Sequence, residues 1–394
     1  MSGDVLGTDI SSFVARRVKD LAPSGIRKFF DLVASTQGVI SLSIGEPDFT
    51  TPWHIRDSAI QSIKKGYTMY TSNAGMPELK EEIARYLKRN YGLEYDPATQ
   101  ILVTVGVSEA LDLAARAIIE SEDEVIIPEP CYVAYPAVVN LAGGTPVLVP
   151  TDSSTFEPVP EIIEENVTSR TKAILIGSPA NPTGAVISRR VLEEIADISI
   201  AHNLIVLSDE IYARLIYGAE HVPIASLPGM KERTVLLGGF SKAYAMTGWR
   251  IGYAAGNRNI ISAMTKIHQY TIMCAPTMGQ VGAIEALREA DGDVSSMVED
   301  YNRRRLFITN GLREIGLDCP EPKGAFYVFP SIKETGLTSD EFAEKLLTTE
   351  KVAVVPGVAF GQSGEGHVRC CYATSLEDIK EALTRIDRFI HQQG

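Results

Sequence analysis

The chain has 394 residues, 45% hydrophobic and 22% charged, a composition typical of a soluble globular protein with material for a large core and two domains. Its formal net charge is −13 and it contains no basic tract, which argues against nucleic acid or an anionic membrane as a partner. No apolar run reaches the roughly 18 residues that a membrane span needs. Residues 1–10 lack the basic region and apolar core of a signal peptide, so we expect a cytoplasmic protein.

The cysteines and histidines indicate neither disulfides nor a metal centre. The five cysteines are odd in number, have no C-x-x-C spacing, and therefore predict buried free thiols in a reducing cytosol. The six histidines form no H-E-x-x-H or similar cluster, so we expect no metal site.

The first hundred residues predict an arm followed by helices. Residues 1–15 have the pattern of a loose arm, and residues 26–34 have helical apolar spacing. Residues 39–44 alternate like a strand and lead into a turn at Gly45. Two helices are then predicted on either side of a polar, aromatic loop, one from Pro52 to about Lys65 and one beginning at Pro77.

From about residue 100 the pattern alternates between strands and helices. The strand candidates are continuous apolar runs, as expected of a mostly parallel sheet that is covered on both faces. They lie at residues 101–105, 125–128, 146–149, 173–176, 204–207, 235–237 and 251–255. Helices are predicted between several of them, for example at residues 108–121 and 191–202. Such sheets bind ligands outside the carboxyl ends of their strands.

After residue 257 the chain is mainly helical, with a charged helix near residues 295–315, and it closes with a small α+β section. That section has strand candidates at 325–329, 352–355 and 368–372 and helices near 338–349 and 375–391. We therefore predict an α/β protein with a seven-stranded, mostly parallel sheet in a large domain and a small α+β domain. The predicted ranges are 1–50 for the arm and part of the small domain, 51–290 for the large domain, and 291–394 for the C-terminal small domain.

Residues 238–253, Gly-Gly-Phe-Ser-Lys-Ala-Tyr-Ala-Met-Thr-Gly-Trp-Arg-Ile-Gly-Tyr, follow an apolar strand that two glycines end. Lys242 therefore lies on a turn at the carboxyl edge of the sheet. Desolvation at such a place lowers the pKa of a lysine and makes its amine a Schiff-base candidate. Arg250, eight residues after Lys242 and beside the next predicted strand, could hold a phosphate.

Polar residues at other strand ends predict further ligand contacts. Ser108 is the expected N-cap of a helix whose free N–H groups suit an anion, although an ordinary cap is also consistent with the pattern. The two prolines of Pro-Ala-Asn-Pro-Thr-Gly place Asn181 rigidly after a strand. Asp209 ends a buried strand and needs a helix cap, a metal or a protonated ring nitrogen as its partner, and Tyr212 is close enough in sequence to reach the same pocket. Arg369 lies in an apolar strand, either in a structural salt bridge or as a clamp on a carboxylate.

Together these motifs resemble one family, the class I/II aminotransferases of the aspartate aminotransferase fold (fold type I), which use pyridoxal 5'-phosphate. The resemblance runs from about residue 26 to the C-terminus. Its landmarks, in chain order, are Ser-Ile-Gly-Glu-Pro-Asp-Phe, Ala-Asn-Pro-Thr-Gly, Ser-Asp-Glu-Ile-Tyr, the segment around Lys242, Lys-Gly-Ala-Phe-Tyr and Val-Arg-Cys-Cys-Tyr-Ala. The strongest likeness is to prokaryotic and archaeal aspartate or aromatic-amino-acid aminotransferases.

The resemblance implies ping-pong amino transfer and a role for each matching residue. Lys242 would form the Schiff base with the cofactor and move the proton at the substrate α-carbon. Asp209 would keep the pyridine nitrogen protonated, Asn181 and Tyr212 would bond the ring hydroxyl, and Tyr132 would stack on the ring. The remaining implied contacts are Val107, Ser108, Ser241 and Arg250 with the phosphate, Tyr70 with the phosphate of the neighbouring subunit, and Gly45, Asn181 and Arg369 with the substrate carboxylate.

The resemblance also limits the substrate and the partners. The arginine that dicarboxylate-specific animal relatives bring from the partner subunit is missing from residues 266–276, and Ser108 stands where one bacterial aspartate subgroup has a lysine. We expect glutamate and 2-oxoglutarate as one pair, with aspartate, an aromatic amino acid or alanine as the other donor. The role of Tyr70 implies a homodimer with active sites at the subunit interface.

Three other classes remain as alternatives. A pyridoxal-phosphate-dependent carbon–sulfur β-lyase shares this scaffold, and release of pyruvate and ammonia from cystathionine would distinguish it. The fold also serves as a sensor domain in transcription regulators, but the roughly 25 residues before the resemblance are too few for their DNA-binding domain, and the chain is acidic. A nicotinamide dehydrogenase is disfavoured because no G-x-G-x-x-G follows a strand.

Overall fold

The protein is described from a computed structural model, in which residues 13–19, 21 and 38–393 are described. Most of the predicted arm and the whole of the helix predicted at 26–34 lie outside those residues. The first described helix, α1, is a single turn, Arg16–Lys19.

The centre of the fold is a seven-stranded sheet with the order β2-β8-β7-β6-β5-β3-β4. Its strands are β2 (Ile101–Thr104), β3 (Glu124–Glu129), β4 (Thr145–Pro150), β5 (Thr171–Gly177), β6 (Ile205–Asp209), β7 (Thr234–Gly239) and β8 (Gly252–Ala255). All seven correspond to predicted strands, and all of their pairings are parallel except those of β8, which runs antiparallel to β2 and β7. The prediction of a mostly parallel sheet is confirmed.

Helices cover both faces of this sheet, and their apolar sides form separate clusters with it. The helices of the first two-thirds of the chain are α2 (Trp53–Lys64), α3 (Pro77–Tyr91), α4 (Gly106–Ile118), α5 (Ala134–Ala142), α6 (Pro160–Glu165), α7 (Arg189–Ala201), α8 (Arg258–Thr271) and α9 (Thr277–Glu289). Leu111, Val138 and Ile261 of α4, α5 and α8 pack on one face. Ile163 and Ile195 of α6 and α7 pack on the other.

The small α+β section follows and also includes a strand from the N-terminal part of the chain. Its elements are β1 (Ile40–Ser41), α10 (Asp291–Glu314), β9 (Tyr327–Val328), α11 (Ser339–Glu350), β10 (Val352–Ala353), β11 (Val355–Pro356), β12 (Val368–Cys371) and α12 (Leu376–Gln393). β1 pairs in parallel with β10. β12 lies between β11 and β9 and is antiparallel to both. The N-terminal segment therefore returns to the C-terminal section, as predicted.

Several predicted strand boundaries are wrong. The strand predicted at 352–355 is two short strands that belong to different sheets, and the strand predicted at 39–44 pairs only at residues 40–41. The last strand of the large sheet begins at Gly252, because Arg250 has a left-handed backbone with φ 56° that interrupts an extended strand. The division of the chain at residues 50 and 290 stays a prediction. None of the described helices combines the length and apolar character needed to cross a membrane.

Candidate active site

A cavity of about 860 Å³ opens at the carboxyl ends of the central strands, where a mostly parallel sheet is expected to bind its ligand. Eleven of the twelve residues singled out from the sequence line it: Gly45, Val107, Ser108, Tyr132, Asn181, Asp209, Tyr212, Ser241, Lys242, Arg250 and Arg369. The twelfth, Tyr70, does not line this cavity and lies on the surface with 80% of its area exposed. Residues from both ends of the chain therefore meet in one site.

Lys242 lies three residues beyond the end of β7, on a turn, as the sequence predicted. Its ammonium nitrogen donates a hydrogen bond to the carbonyl oxygen of Gly45 at 2.8 Å. Burial disfavours the charged form, and it lowers the pKa of the amine to about 8. A lysine with this pKa has a substantial neutral fraction near physiological pH, which a nucleophilic amine requires.

Asp209 is the last residue of β6, and its carboxylate is buried beneath the cavity. One oxygen accepts from the backbone N–H of Ile211 at 3.1 Å, and the other accepts from the hydroxyl of Tyr135 at 2.9 Å. Burial raises its pKa to about 6. Such a carboxylate gains stability when a cationic ligand takes a place beside it.

Tyr135 was not among the predicted site residues. Its spacing in the sequence, three residues after Tyr132, could have indicated it. The two rings pack edge to face, with centroids 5.6 Å apart. Gly177 leaves room for the hydroxyl of Tyr135, because a Cβ at that position would lie 2.4 Å from the hydroxyl oxygen. The approach of Tyr135 to Asp209 thus depends on a glycine at the end of β5.

The start of α4 and the guanidinium of Arg250 together form a cradle that suits an anion. The helix starts at Gly106 with Val105 as its N-cap, so the prediction that Ser108 is the N-cap is wrong. Ser108 is instead in the first helical turn, where its N–H is among the free groups that favour an anion. Gly106 has φ 74° and packs against the guanidinium of Arg250, with an added Cβ only 2.5 Å from Nη2. Arg250 is held in turn by a 3.0 Å hydrogen bond from Nη1 to the carbonyl oxygen of Thr247.

Arg369 projects from β12 into the cavity and is held on several sides. Nη1 donates to Asn181 Oδ1 at 2.9 Å and Nη2 donates to the carbonyl oxygen of Ser43 at 2.6 Å. Its guanidinium carbon lies 4.5 Å from the ring centroid of Tyr327 and 5.0 Å from that of Phe360. Nε is buried and has no hydrogen-bond partner among the described residues. A rigid arginine with an unused donor is suited to a carboxylate ligand.

Tyr327 is a second cavity residue to which the sequence gave no role, although it ends the Lys-Gly-Ala-Phe-Tyr landmark. Its hydroxyl lies 2.7 Å from that of Tyr212, and both side chains line the cavity. Its position depends on contacts with residues distant in sequence, so no local pattern indicated it.

The cavity thus combines a buried amine of lowered pKa, a buried carboxylate suited to a cationic ring nitrogen, a helix N-terminus with an arginine suited to a phosphate, and a second arginine with an unpaired donor. These features suit a cofactor that has an aldehyde, a basic ring nitrogen and a phosphate, and a substrate that has a carboxylate. Such a combination is the chemistry of pyridoxal phosphate.

The chain belongs to the class I and II aminotransferases, since the model of that family matches residues 37–386. It is 56% identical to Bacillus subtilis YugH, whose name assigns it to the aminotransferases provisionally and gives no substrate, over 97% of this chain and 100% of that one. It is 47% identical to an aspartate aminotransferase of Pyrococcus abyssi over 94% of this chain and 96% of that one. Among solved structures, an aromatic aminotransferase of Pyrococcus horikoshii superposes with a TM-score of 0.89 and 46% identity, covering 93% of this chain and 99% of that one.

Enzymes of this family depend on pyridoxal phosphate, which is therefore the cofactor of this protein. The described residues fit it. The guanidinium of Arg250 packs directly against Gly106 and so lies beside the free N–H groups at the start of α4, and both suit a phosphate. The lowered pKa of Lys242 leaves a neutral amine for the aldehyde, and the Asp209 carboxylate, whose charge burial disfavours, would be stabilised by a protonated ring nitrogen.

Proposed function

We propose that this protein moves an amino group between an L-amino acid, aspartate or an aromatic amino acid, and a 2-oxo acid, 2-oxoglutarate, by ping-pong chemistry centred on Lys242. The observation that carries the proposal is the position of the Lys242 amine. It is buried, its pKa is lowered to about 8, and it shares one cavity with Asp209 and two arginines.

Pyridoxal phosphate supplies the electron sink that weakens a bond at the α-carbon of the amino acid. Lys242 would hold the cofactor when no substrate is present. Its amine, once displaced by the substrate, would take the proton from the substrate α-carbon and deliver it to the cofactor carbon that came from the aldehyde. A base whose pKa is near the working pH is efficient at this task, which contributes about 10²- to 10⁴-fold. The carboxylate of Asp209 holds the proton on the ring nitrogen, and the ring of Tyr132 packs against the cofactor.

The other cavity residues orient the two ligands. The N–H groups of Val107 and Ser108, the hydroxyl of Ser241 and the guanidinium of Arg250 bind the phosphate. This assignment is supported by the N-terminus of α4, which carries a partial positive charge and lies against Arg250 at Gly106.

Arg369 binds the substrate α-carboxylate, with Gly45 and Asn181 beside it. Arg369 lines the cavity and uses two of its five N–H donors on Asn181 and Ser43, which leaves donors for a carboxylate. Asn181 and Tyr212 bond the ring hydroxyl of the cofactor. The amide oxygen of Asn181 accepts from Arg369, so its nitrogen is left to donate to that hydroxyl oxygen.

We expect the substrate side chain to pack against apolar residues of the cavity. The cationic side chains that line it within the described residues are Lys242, Arg250 and Arg369, and each already has a ligand in this proposal. Ile44 and Val133 also line it and suit an aromatic side chain. A dicarboxylate such as aspartate would need a hydroxyl or a group from a second subunit.

We further propose a cytoplasmic homodimer with active sites at the subunit interface. Tyr70 and Tyr270 are 80% and 86% exposed, and their segments adjoin through a 2.7 Å hydrogen bond from Asn73 Nδ2 to the carbonyl oxygen of Met273. Exposed aromatic side chains on adjoining segments are typical of a surface that another chain covers. The cytoplasmic assignment is supported by the five cysteines, all free, of which four are buried and Cys274 is partly exposed.

The test is to load the purified protein with pyridoxal phosphate and to record its absorption before and after adding one amino acid at a time. We expect glutamate, and then aspartate, tyrosine or phenylalanine, to convert the yellow form into the colourless pyridoxamine form, and 2-oxoglutarate to restore it. The rates with the single amino acids rank the donors. If no amino acid converts the cofactor and cystathionine instead releases pyruvate, the carbon–sulfur lyase is the correct function.

A further inference from the structure

Tyr327 contacts both Arg369, proposed to bind the substrate carboxylate, and Tyr212, proposed to bond the cofactor. Its ring lies under the guanidinium of Arg369, with the guanidinium carbon 4.5 Å from the ring centroid. Its hydroxyl lies 2.7 Å from the hydroxyl of Tyr212. Tyr327 is 1% exposed and is packed edge to face against Phe326, with centroids 4.9 Å apart, so its ring has little freedom to move.

The Tyr327 hydroxyl also packs against Gly45 in the N-terminal segment. A Cβ at Gly45 would lie 2.4 Å from that hydroxyl oxygen, so only glycine leaves the space that it occupies. The carbonyl of the same Gly45 accepts the hydrogen bond from Lys242 at 2.8 Å. Tyr327 therefore lies where the segments carrying Lys242, Tyr212 and Arg369 meet.

The hydroxyls of Tyr212 and Tyr327 form one hydrogen bond with each other, and either could be the donor. Counting the protons available to each hydroxyl shows which one donates. Burial raises the pKa of both tyrosines, so each hydroxyl keeps its proton at neutral pH. Each has one proton to donate. Among the described residues, the hydroxyl of Tyr327 has Tyr212 as its hydrogen-bond partner, whereas Tyr212 is the one proposed to face the cofactor. If Tyr212 donated to Tyr327, it would present only lone pairs to the cofactor.

We propose that Tyr327 is a positioning residue that donates its proton to the hydroxyl of Tyr212, so that Tyr212 in turn donates to the ring oxygen of the cofactor. This inference rests on the proposed function, because it needs the cofactor ring beside Tyr212. The ring of Tyr327 has a second task, which is to hold one face of Arg369 for the substrate carboxylate. The hydroxyl of Tyr327 thus acts on the cofactor and its ring acts on the substrate carboxylate, and different substitutions can remove the two roles separately.

The experiment measures the absorbance of the bound cofactor against pH in the loaded protein. A donor aimed at the ring oxygen favours its deprotonated form, so the midpoint lies lower when the donor is in place. We expect Tyr327→Phe to raise this midpoint by roughly half a pH unit or more and to leave the KM for the amino acid nearly unchanged. Tyr327→Leu should raise the midpoint and also the KM, because the stacking on Arg369 is lost.

Two controls make the test specific. Phe360→Leu removes the ring on the other side of Arg369, 5.0 Å from its guanidinium carbon, and should raise the KM without moving the midpoint. Tyr212→Phe should raise the midpoint, and Tyr327→Phe added to it should have no further effect, because Tyr327 acts through Tyr212. Gly45→Ala, which pushes the Tyr327 hydroxyl away, should raise the midpoint as well and substitutes for Tyr327→Phe if that variant does not fold.

The outcomes separate this inference from the proposed function. A wild-type protein that takes up pyridoxal phosphate and titrates, with a Tyr327→Phe variant of the same midpoint, overturns the role of Tyr327 alone. Additive shifts in the double variant overturn it too, since Tyr327 would then act independently of Tyr212. A wild-type protein that takes up no cofactor overturns both the proposed function and this inference.

Discussion

At the scale of single residues, the proposed chemistry depends on two side chains, Lys242 and Asp209, whose burial shifts their pKa in opposite directions. Burial lowers the pKa of Lys242 to about 8 and raises that of Asp209 to about 6. Both shifts disfavour the charged form and cost stability before the cofactor binds. A cofactor with an aldehyde and a protonated ring nitrogen relieves both costs, which is why we expect it to stabilise the fold as well as to supply the chemistry.

The cost at Asp209 can be measured through its pH dependence. Because its folded-state pKa of about 6 lies above the ordinary value of 3.8, the cofactor-free protein loses free energy of unfolding as the pH rises through this interval. The loss is complete above it and is on the order of 3 kcal/mol for a fully buried group. The variant Asp209→Asn does not titrate at this position, so its stability relative to the wild type should increase from pH 4.5 to pH 7.5 in urea unfolding without cofactor.

Although Asp209→Asn should favour the stability of the cofactor-free protein at neutral pH, it should lower the turnover of the protein loaded with pyridoxal phosphate. The amide of Asp209→Asn offers no negative charge to the ring nitrogen, so turnover should fall by at least about 100-fold, since each pKa unit of the ring nitrogen is worth roughly 1.4 kcal/mol. A difference in stability between wild type and variant that does not change with pH would contradict the assigned burial effect. Equal turnover would contradict the role of Asp209.

The sequence identified the residues with polar groups at strand ends but not those that orient them. Lys242, Asp209 and Arg369 stand out because lysine, aspartate and arginine are rarely placed at the ends of buried strands without a partner. Tyr327 and Tyr135 do not stand out, because a tyrosine near an apolar strand or helix is equally typical of an ordinary core. Their roles follow from contacts across 115 and 74 residues of sequence, which no local pattern contains.

At the scale of elements, the proposed phosphate cradle depends on how β8 meets the start of α4. β8 runs in the opposite direction to the other six strands of the central sheet, and it begins with Gly252 directly after the turn that carries Arg250. A Cβ on Gly252 would lie 2.6 Å from the carbonyl carbon of Gly106 and 2.7 Å from the nitrogen of Val107. These are backbone atoms of the helix start and cannot rotate away.

Gly252→Ala should therefore weaken the binding of pyridoxal phosphate without unfolding the protein. The added methyl group pushes the first turn of α4 away from Arg250, and hydrogen bonds to a charged group are worth about 1.5 to 3 kcal/mol each, so the Kd should rise roughly tenfold or more. Gly292→Ala is the matched control, since a Cβ there meets nothing within 4 Å. Titration of the cofactor-free proteins by absorbance gives both Kd values. Equal values for Gly252→Ala and wild type would mean that the helix start does not bind the phosphate.

The sequence predicted the strands of the central sheet well because long apolar runs between turn residues have few alternatives. It did not predict that β8 is reversed, because strand direction depends on the connection and not on the run itself. The first and last residues of the short strands in the small section were predicted less accurately. Pairings of two residues, such as those of β10 and β11, depend on partners elsewhere in the chain.

At the scale of the whole molecule, the proposed dimer makes each site depend on two chains. Tyr70 lies outside the cavity of its own chain and is 80% exposed, whereas Lys242 lies within that cavity. If Tyr70 reaches the phosphate of the neighbouring subunit, a dimer of one Tyr70→Ala chain and one Lys242→Ala chain contains one complete site. That site has Lys242 from the first chain and Tyr70 from the second.

Co-expression with two different affinity tags allows the mixed dimer to be purified. We expect it to have about half of the wild-type activity per dimer, since one of its two sites is intact, while the Tyr70→Ala dimer is impaired and the Lys242→Ala dimer is inactive. If Tyr70 served its own chain, the mixed dimer would be no more active per Lys242 site than the Tyr70→Ala dimer. A monomer at micromolar concentration in analytical ultracentrifugation would contradict the shared site altogether.

The central claim is that Lys242 holds the cofactor, and covalent labelling tests it most directly. The protein is loaded with pyridoxal phosphate, treated with borohydride to fix any lysine-bound cofactor to the chain, digested, and analysed by mass spectrometry. We predict the label on the peptide that contains Lys242, at a rate of loading that rises with pH through about 8 as the amine loses its proton. Lys242→Ala should bear no label and show no turnover. A label on another lysine, or substantial activity in Lys242→Ala, would contradict the account.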